Sequence, residues 1–199
     1  MKGGILVFTV LAMVIAFVGG CKVQVDKSKD GEEQNVKIAT PFGGINVNQG
    51  QTSAAELGLS AYPGAVQDMT GEGSKSAQVD MGFGSWKLRV KVAHYATADR
   101  QDQVIAFYRQ ALSQYGSVIE CAGGKPVGLP VSTSEGLTCD DSNGHSAQTG
   151  RSGDLQLKAG SAHHQHLVLF KDSSGSPTHF SLIALDLPHG FDNAQKGTN

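Results

Sequence analysis

The sequence predicts an α+β fold, a mostly antiparallel sheet with one principal amphipathic helix packed on one face. Three observations predict it. Glycine supplies 26 of 199 residues, roughly 13% against an ordinary ~7%, which favours a turn-rich chain over a helical bundle. Several short segments alternate apolar and polar residues with the period of a strand. Only one segment, residues 97–116, carries an apolar stripe with the period of a helix. A hydrophobic fraction of 39% is sufficient for a packed core and excludes wholesale disorder. The length suits one domain.

The first element is an address. Lys2 precedes a run that is apolar from Ile5 to Val18 apart from Thr9. About 14 residues match a signal-peptide core, whereas a spanning helix needs ~20. An uncleaved membrane helix and a plain secretory signal are the alternatives. Small residues follow, and Val18-Gly19-Gly20-Cys21 resembles the lipobox of bacterial lipoproteins. That resemblance implies removal of residues 1–20, a diacylglyceryl group on the Cys21 sulfur and an acyl chain on its amine. Several acyl chains hold a protein on a bilayer where one is marginal. Lys22 follows the cysteine, and the sorting rule of that family then points to the outer membrane, facing the periplasm.

Residues 21–34 read as the lipidated cysteine and a charged, aperiodic tether. A single domain is expected over 35–188 and a polar, fraying tail over 189–199. Within the domain, Val36, Ile38, Ile45 and Val47 alternate on either side of Pro41-Phe42-Gly43-Gly44, predicting a hairpin or a kinked strand. Ser53-Ala54-Ala55-Glu56 fits a capping box on a single helical turn. Pro63-Gly64 predicts a rigid turn. Residues 77–83 and 86–95 predict two strands, because Val79, Met81 and Phe83 alternate and so do Trp86, Leu88, Val90 and Val92. The parity changes across Gly84-Ser85, which marks a bulge or a tight hairpin turn. Lys87, Arg89 and Lys91 form a short basic row, read as a solvated face before an anion site.

The helix is expected to start at an N-cap on Thr97 or Asp99 and to stop at Gly116. Val104, Tyr108, Ala111, Leu112 and Tyr115 make its apolar stripe. Strands are further expected around 117–121 and 137–140. Residues 155–160 and 164–172 read as two strands or one long bent strand. Residues 172–177 predict a hairpin turn, and 178–188 the closing strand. Tyr62-Pro63-Gly64-Ala65, together with Thr97, Asp99, Val104, Phe107-Tyr108-Arg109, Leu112 and Gly116, resembles strings in exported proteins and lipoproteins of environmental bacteria. The resemblance spans residues 36–187 and implies no catalytic residue.

Cys21 aside, Cys121 and Cys139 remain. An even remainder in an exported chain reads as a disulfide across a Gly- and Pro-rich loop. A metal or redox thiol pair is the alternative, although the chain has no C-x-x-C motif.

Other chemistry is thin. In His163-His164-Gln165-His166, a strand would point His164 and His166 the same way, about 7 Å apart. Two such imidazoles could ligate zinc or copper given a third ligand from His145, Asp140, Asp141 or His179. Polar strand-edge histidines are the simpler account. Asp140-Asp141-Ser142-Asn143-Gly144 fails the spacing of a calcium loop. No nucleophile elbow, Walker A loop or dinucleotide glycine pattern occurs. None of the 18 acidic residues stands out as a catalytic pair. A net charge of −2 without a basic stripe argues against nucleic acid as a partner. The resulting expectation is a lipid-anchored, non-catalytic binding or structural module of the envelope. It would have the membrane and an envelope protein, polymer or small ligand as partners, and no cofactor. A small metal-dependent enzyme using His164 and His166 is the alternative.

Overall fold

A computed structural model describes residues 21–27, 34–50, 52–68, 76–139, 154–171 and 177–188. The signal segment, Asp140, Asp141, His145, most of the 172–177 turn and the tail lie outside the described residues. The strands are β1 (Lys22–Lys27), β2 (Gln34–Thr40), β3 (Gly43–Gln49), β4 (Val66–Gln67), β5 (Ala77–Phe83) and β6 (Trp86–Thr97). After helix α1 (Gln101–Leu112) come β7 (Ile119–Ala122), β8 (Lys125–Pro126), β9 (Leu155–Gly160), β10 (His164–Phe170) and β11 (Thr178–Asp186). Among the described residues they form one antiparallel sheet, in the order β1-β2-β3-β5-β6-β11-β10-β9-β7-β8, with β4 beside the far end of β6. The mostly antiparallel sheet, with a single α-helix among the described residues, accords with the predicted class.

Local chemistry explains the turns. Pro41 and Phe42 alone separate β2 from β3, and Gly84 and Ser85 separate β5 from β6. The parity change at Gly84-Ser85 is therefore a two-residue hairpin. Residues 155–170 form two strands, because Gly160 closes them with φ +101° and a Cβ there would meet the His164 carbonyl at 2.2 Å. Ser53 and Glu56 cap one 3₁₀ turn: the Glu56 carboxylate accepts the Ser53 N–H at 2.7 Å and its hydroxyl at 2.9 Å. The Ala65 N–H closes the Pro63-Gly64 turn on the Tyr62 carbonyl.

Three expectations need correction. The charged tether is not a tether over its first half. Residues Lys22–Lys27 pair along their whole length with β2, from Lys22 opposite Ala39 to Lys27 opposite Gln34. Val23 and Val25 supply the two-residue alternation that the neighbouring charges mask. Helix α1 is capped at Arg100, not at Thr97 or Asp99. Thr97 is still paired with Thr178 at the end of β6, while Gln103 Oε1 accepts the Arg100 N–H at 3.2 Å. The strand expected around 137–140 is reduced, over its described residues, to an isolated bridge between Ser132 and Thr138.

Strand register defines two faces. Tyr95, Ala93, Phe180 and Leu182 share the first face with Val168, Phe170, Leu157 and Ala159. They form the main core together with Val104, Tyr108 and Leu112 of α1, all three fully buried. The Tyr108 ring lies 5.4 Å from that of Phe180, and its hydroxyl accepts the Tyr62 N–H at 3.2 Å. On the second face, Leu167, Leu169, Ile183 and Leu185 cluster with Val90 and Val92. Cys121 and Cys139 sit at disulfide distance, with Cα atoms 5.5 Å apart, beside buried Ile119.

Candidate functional site

Antiparallel register turns separate sequence positions into rows across the sheet. One row on the first face runs Lys37, Asn46, Asp80, Arg89, Asp186, His164, from β2 to β10. Neighbouring strands lie ~4.8 Å apart, close enough for side chains in adjacent positions to interact. Arg89 Nε donates to Asp80 Oδ1 at 2.5 Å, and its Nη1 lies 3.6 Å from Asp186 Oδ2. The other oxygen of Asp186 is 2.9 Å from His164 Nδ1. Gln78 Nε2 donates to Asp80 Oδ2 at 2.6 Å. Partial burial pushes the Asp80 carboxyl upward, but the hydrogen bonds from Arg89 and Gln78 and the Arg89 charge outweigh it and hold the group below its ordinary value.

The adjacent row is Lys22, Ala39, Gly44, Gly82, Lys87. Its three middle residues have almost no side chain, so the sheet surface is bare between the two lysines. A cavity of about 640 Å³ opens over this bare strip and the charged row beside it. That volume lies within the usual range for small-ligand sites. Asn46 also lines this cavity, and its Oδ1 is buried and without a hydrogen-bond partner among the described residues. Asp80 and Asp186 answer the charge of Arg89, whereas Lys37 and Lys87 make no ion pair among the described residues. Lys91 is used elsewhere: its Nζ donates to the Glu56 carbonyl at 2.8 Å.

The predicted histidine pair is divided between two environments. His164 is exposed and tied to Asp186. His166 lies flat against Tyr115, ring centroids 3.6 Å apart and planes 10° apart. Burial pushes its pKa below the ordinary value, opposed by a backbone hydrogen bond to Leu57. Tyr115 is fixed in turn by donating to the Gly58 carbonyl at 2.5 Å. His179 faces away: its ring lies on the second face, with Nδ1 2.8 Å from Asp68 Oδ2. Among the described residues no group of three or more His, Cys, Asp or Glu could hold a metal ion.

Sequence reasoning missed the charged row. Part of its signal was present, because a two-residue turn at Gly84-Ser85 already sets Asp80 opposite Arg89. The remaining members, Asp186 and His164, arrive by long-range pairing that no local pattern encodes. Comparison of the chain with protein-family models, curated proteins and solved structures gives no match. Among the described residues no helix is long and apolar enough to cross a membrane.

Proposed function

We propose that this chain is a lipid-anchored protein of the bacterial cell envelope, whose bare sheet strip binds a small ligand carrying an anionic group. The observation that carries the ligand class is the cavity flanked by Lys37 and Lys87, two cations without ion-pair partners among the described residues, over a floor of Ala39, Gly44 and Gly82. A flat apolar body can lie on such a floor while its anion reaches a lysine. Binding suits the site better than catalysis, because its carboxylates and its imidazole are already committed: Asp80 and Asp186 to Arg89, and His164 to Asp186. Buried Val104, Tyr108 and Leu112 support α1 as the amphipathic helix that covers the other part of the first face. The signal segment, the Cys21 anchor and the outer-membrane address rest on the lipobox string and on Lys22.

Two measurements test the two parts. Mass spectrometry of the N-terminal peptide from host membranes is expected to find Cys21 acylated at the new terminus. Calorimetric titration with naphthalene sulfonates is expected to give saturable binding that K37A/K87A weakens by about tenfold. Equal affinity for both proteins would remove the ligand reading and leave the anchor standing.

A further inference from the structure

The start of β1 has a consequence for how an anchored protein would sit. Lys22 is already paired with Ala39, so Cys21 is joined to the folded sheet with no spacer. One residue spans at most about 3.6 Å. Acyl chains on Cys21 would therefore hold this end of the sheet at the headgroups, where a tether of 13 or so residues would have let it float away.

The residues at that end fit such a place. Register puts the Pro41-Phe42 turn beside the start of β1, and Gly43 pairs with Phe83 next to the Gly84-Ser85 turn. Four strand spacings, about 19 Å, separate β1 from β6, so both turns share one end with Cys21. Phe42 is 84% exposed and Phe83 is 42% exposed. Two-residue hairpin turns favour Asn, Asp and Gly, so a bare phenylalanine at position 42 needs another reason. Phe83 lies close over the sheet: a Cβ on Gly43 would come within 2.6 Å of its ring. Trp86 sits beside it, ring centroids 6.1 Å apart. Lys22 and Lys87 lie at this same end. Exposed aromatics flanked by lysines are the composition of a membrane–water interface, with rings among the upper acyl chains and cations at anionic headgroups.

We infer that Phe42, Phe83 and Trp86, flanked by Lys22 and Lys87, seat this end of the sheet in the interfacial layer of the bilayer. The inference rests on the reading of Cys21 as the anchor. Trp86 is the one tryptophan of the chain, which makes the test direct. The mature protein, purified from its host, is reconstituted into phosphatidylethanolamine–phosphatidylglycerol vesicles, with or without bromine high on the acyl chains. Seating predicts that brominated lipid lowers Trp86 emission by about twofold or more, and that F42S/F83S or, independently, K22E/K87E reduces the quenching. Acylated Cys21 with equal emission in both vesicles would overturn the seating and spare the anchor. Equal emission that changes with protein density in the vesicle would assign the patch to a second copy of the chain. An unmodified Cys21 would overturn anchor and seating together.

Discussion

One face of one sheet is built in two ways, and β6 carries the boundary. Along its first-face positions the order is Lys87, Arg89, Lys91, then Ala93, Tyr95, Thr97: the first two are exposed, Lys91 is half-buried, and burial is complete from Ala93 onward. The neighbouring strands change in step. On β11 the matching positions are Asp186, Ala184, Leu182 and Phe180, and on β10 they are His164, His166, Val168 and Phe170. Strand β6 and the much later pair β10 and β11 thus switch from polar to apolar within one or two rows. The difference shows that the open part is not simply core left uncovered. Asp80, Arg89, Asp186 and His164 are paired across strands, which suits a surface that stays in water, while the apolar part is committed to packing.

The sharpest way to break this comparison is to truncate one residue in each half. Phe180 is 2% exposed and contacts the rings of Tyr95, Tyr108 and Phe170. Phe180→Ala is expected to cost about 3–5 kcal/mol, as aromatic cavities do. Lys37→Ala, at the open end of the charged row, should change stability by less than about 0.5 kcal/mol. Urea unfolding of both variants measures the contrast, and similar costs would erase the division. Next in size is the Cys121–Cys139 pair, which ties strand β7, the neighbour of edge strand β8, to the loop residue Cys139. Replacing both by alanine is expected to cost about 3 kcal/mol on the chain-entropy model. Urea midpoints that stay unchanged on reduction would show that the pair holds no loop closed.

Much of this division was legible in the residues. The alternation of Trp86, Leu88, Val90 and Val92, the two-residue turns and the helical stripe each follow from a local period and a local steric preference. Even the charges were visible as Lys87, Arg89 and Lys91. Their partners were not. Asp186 pairs with Arg89 across an interval that holds, among the described residues, the helix and four strands, and pairing over such a distance is decided by the fit of whole strands. The bare strip was hidden for the same reason, because Ala39, Gly44 and Gly82 become one surface only once three strands are in register. The β1 alternation was obscured by charge. Val23 and Val25 are mostly exposed, so they carry too little burial for a hydrophobic pattern to announce a strand.

Acid should separate the partly buried histidines from the charged row in a third way. His94, on the second face beside Ser181, and His166, in the boundary row against Tyr115, are both partly buried, and burial depresses both pKa values. The unfolded chain then takes up protons at higher pH than the folded one. Their contribution is present above the unfolded value of about 6.5 and is lost as pH falls through the lower folded values. Stability should therefore begin to decline below about pH 6.5, and His166→Phe, which keeps a ring against Tyr115, should flatten that decline. Asp80 in the open half works by the same sign at lower pH. Its contribution holds above the ordinary carboxyl range and disappears as pH drops through its depressed folded value. Urea midpoints followed from neutral to acid pH should show the two losses in that order.

The smallest expected effect is the most informative about the open half. Arg89 is half exposed and Asp80 less so, which limits an ion pair there to roughly 0.2–1 kcal/mol. Yet Arg89 also lies within reach of Asp186, so Asp80→Asn leaves the guanidinium a second carboxylate. A double-mutant cycle on Arg89 and Asp80 should then give a coupling that rises when Asp186 is replaced by Asn, because the alternative partner is gone. Independent surface pairs would give the same coupling in both backgrounds. A rise means that the row acts as one network spanning β5, β6 and β11, and that ligand charge placed beside Lys37 or Lys87 would be felt along it. Adding about 0.5 M salt should shrink all of these couplings while leaving the cost of Phe180→Ala unchanged, since screening weakens exposed charges and does not touch a cavity.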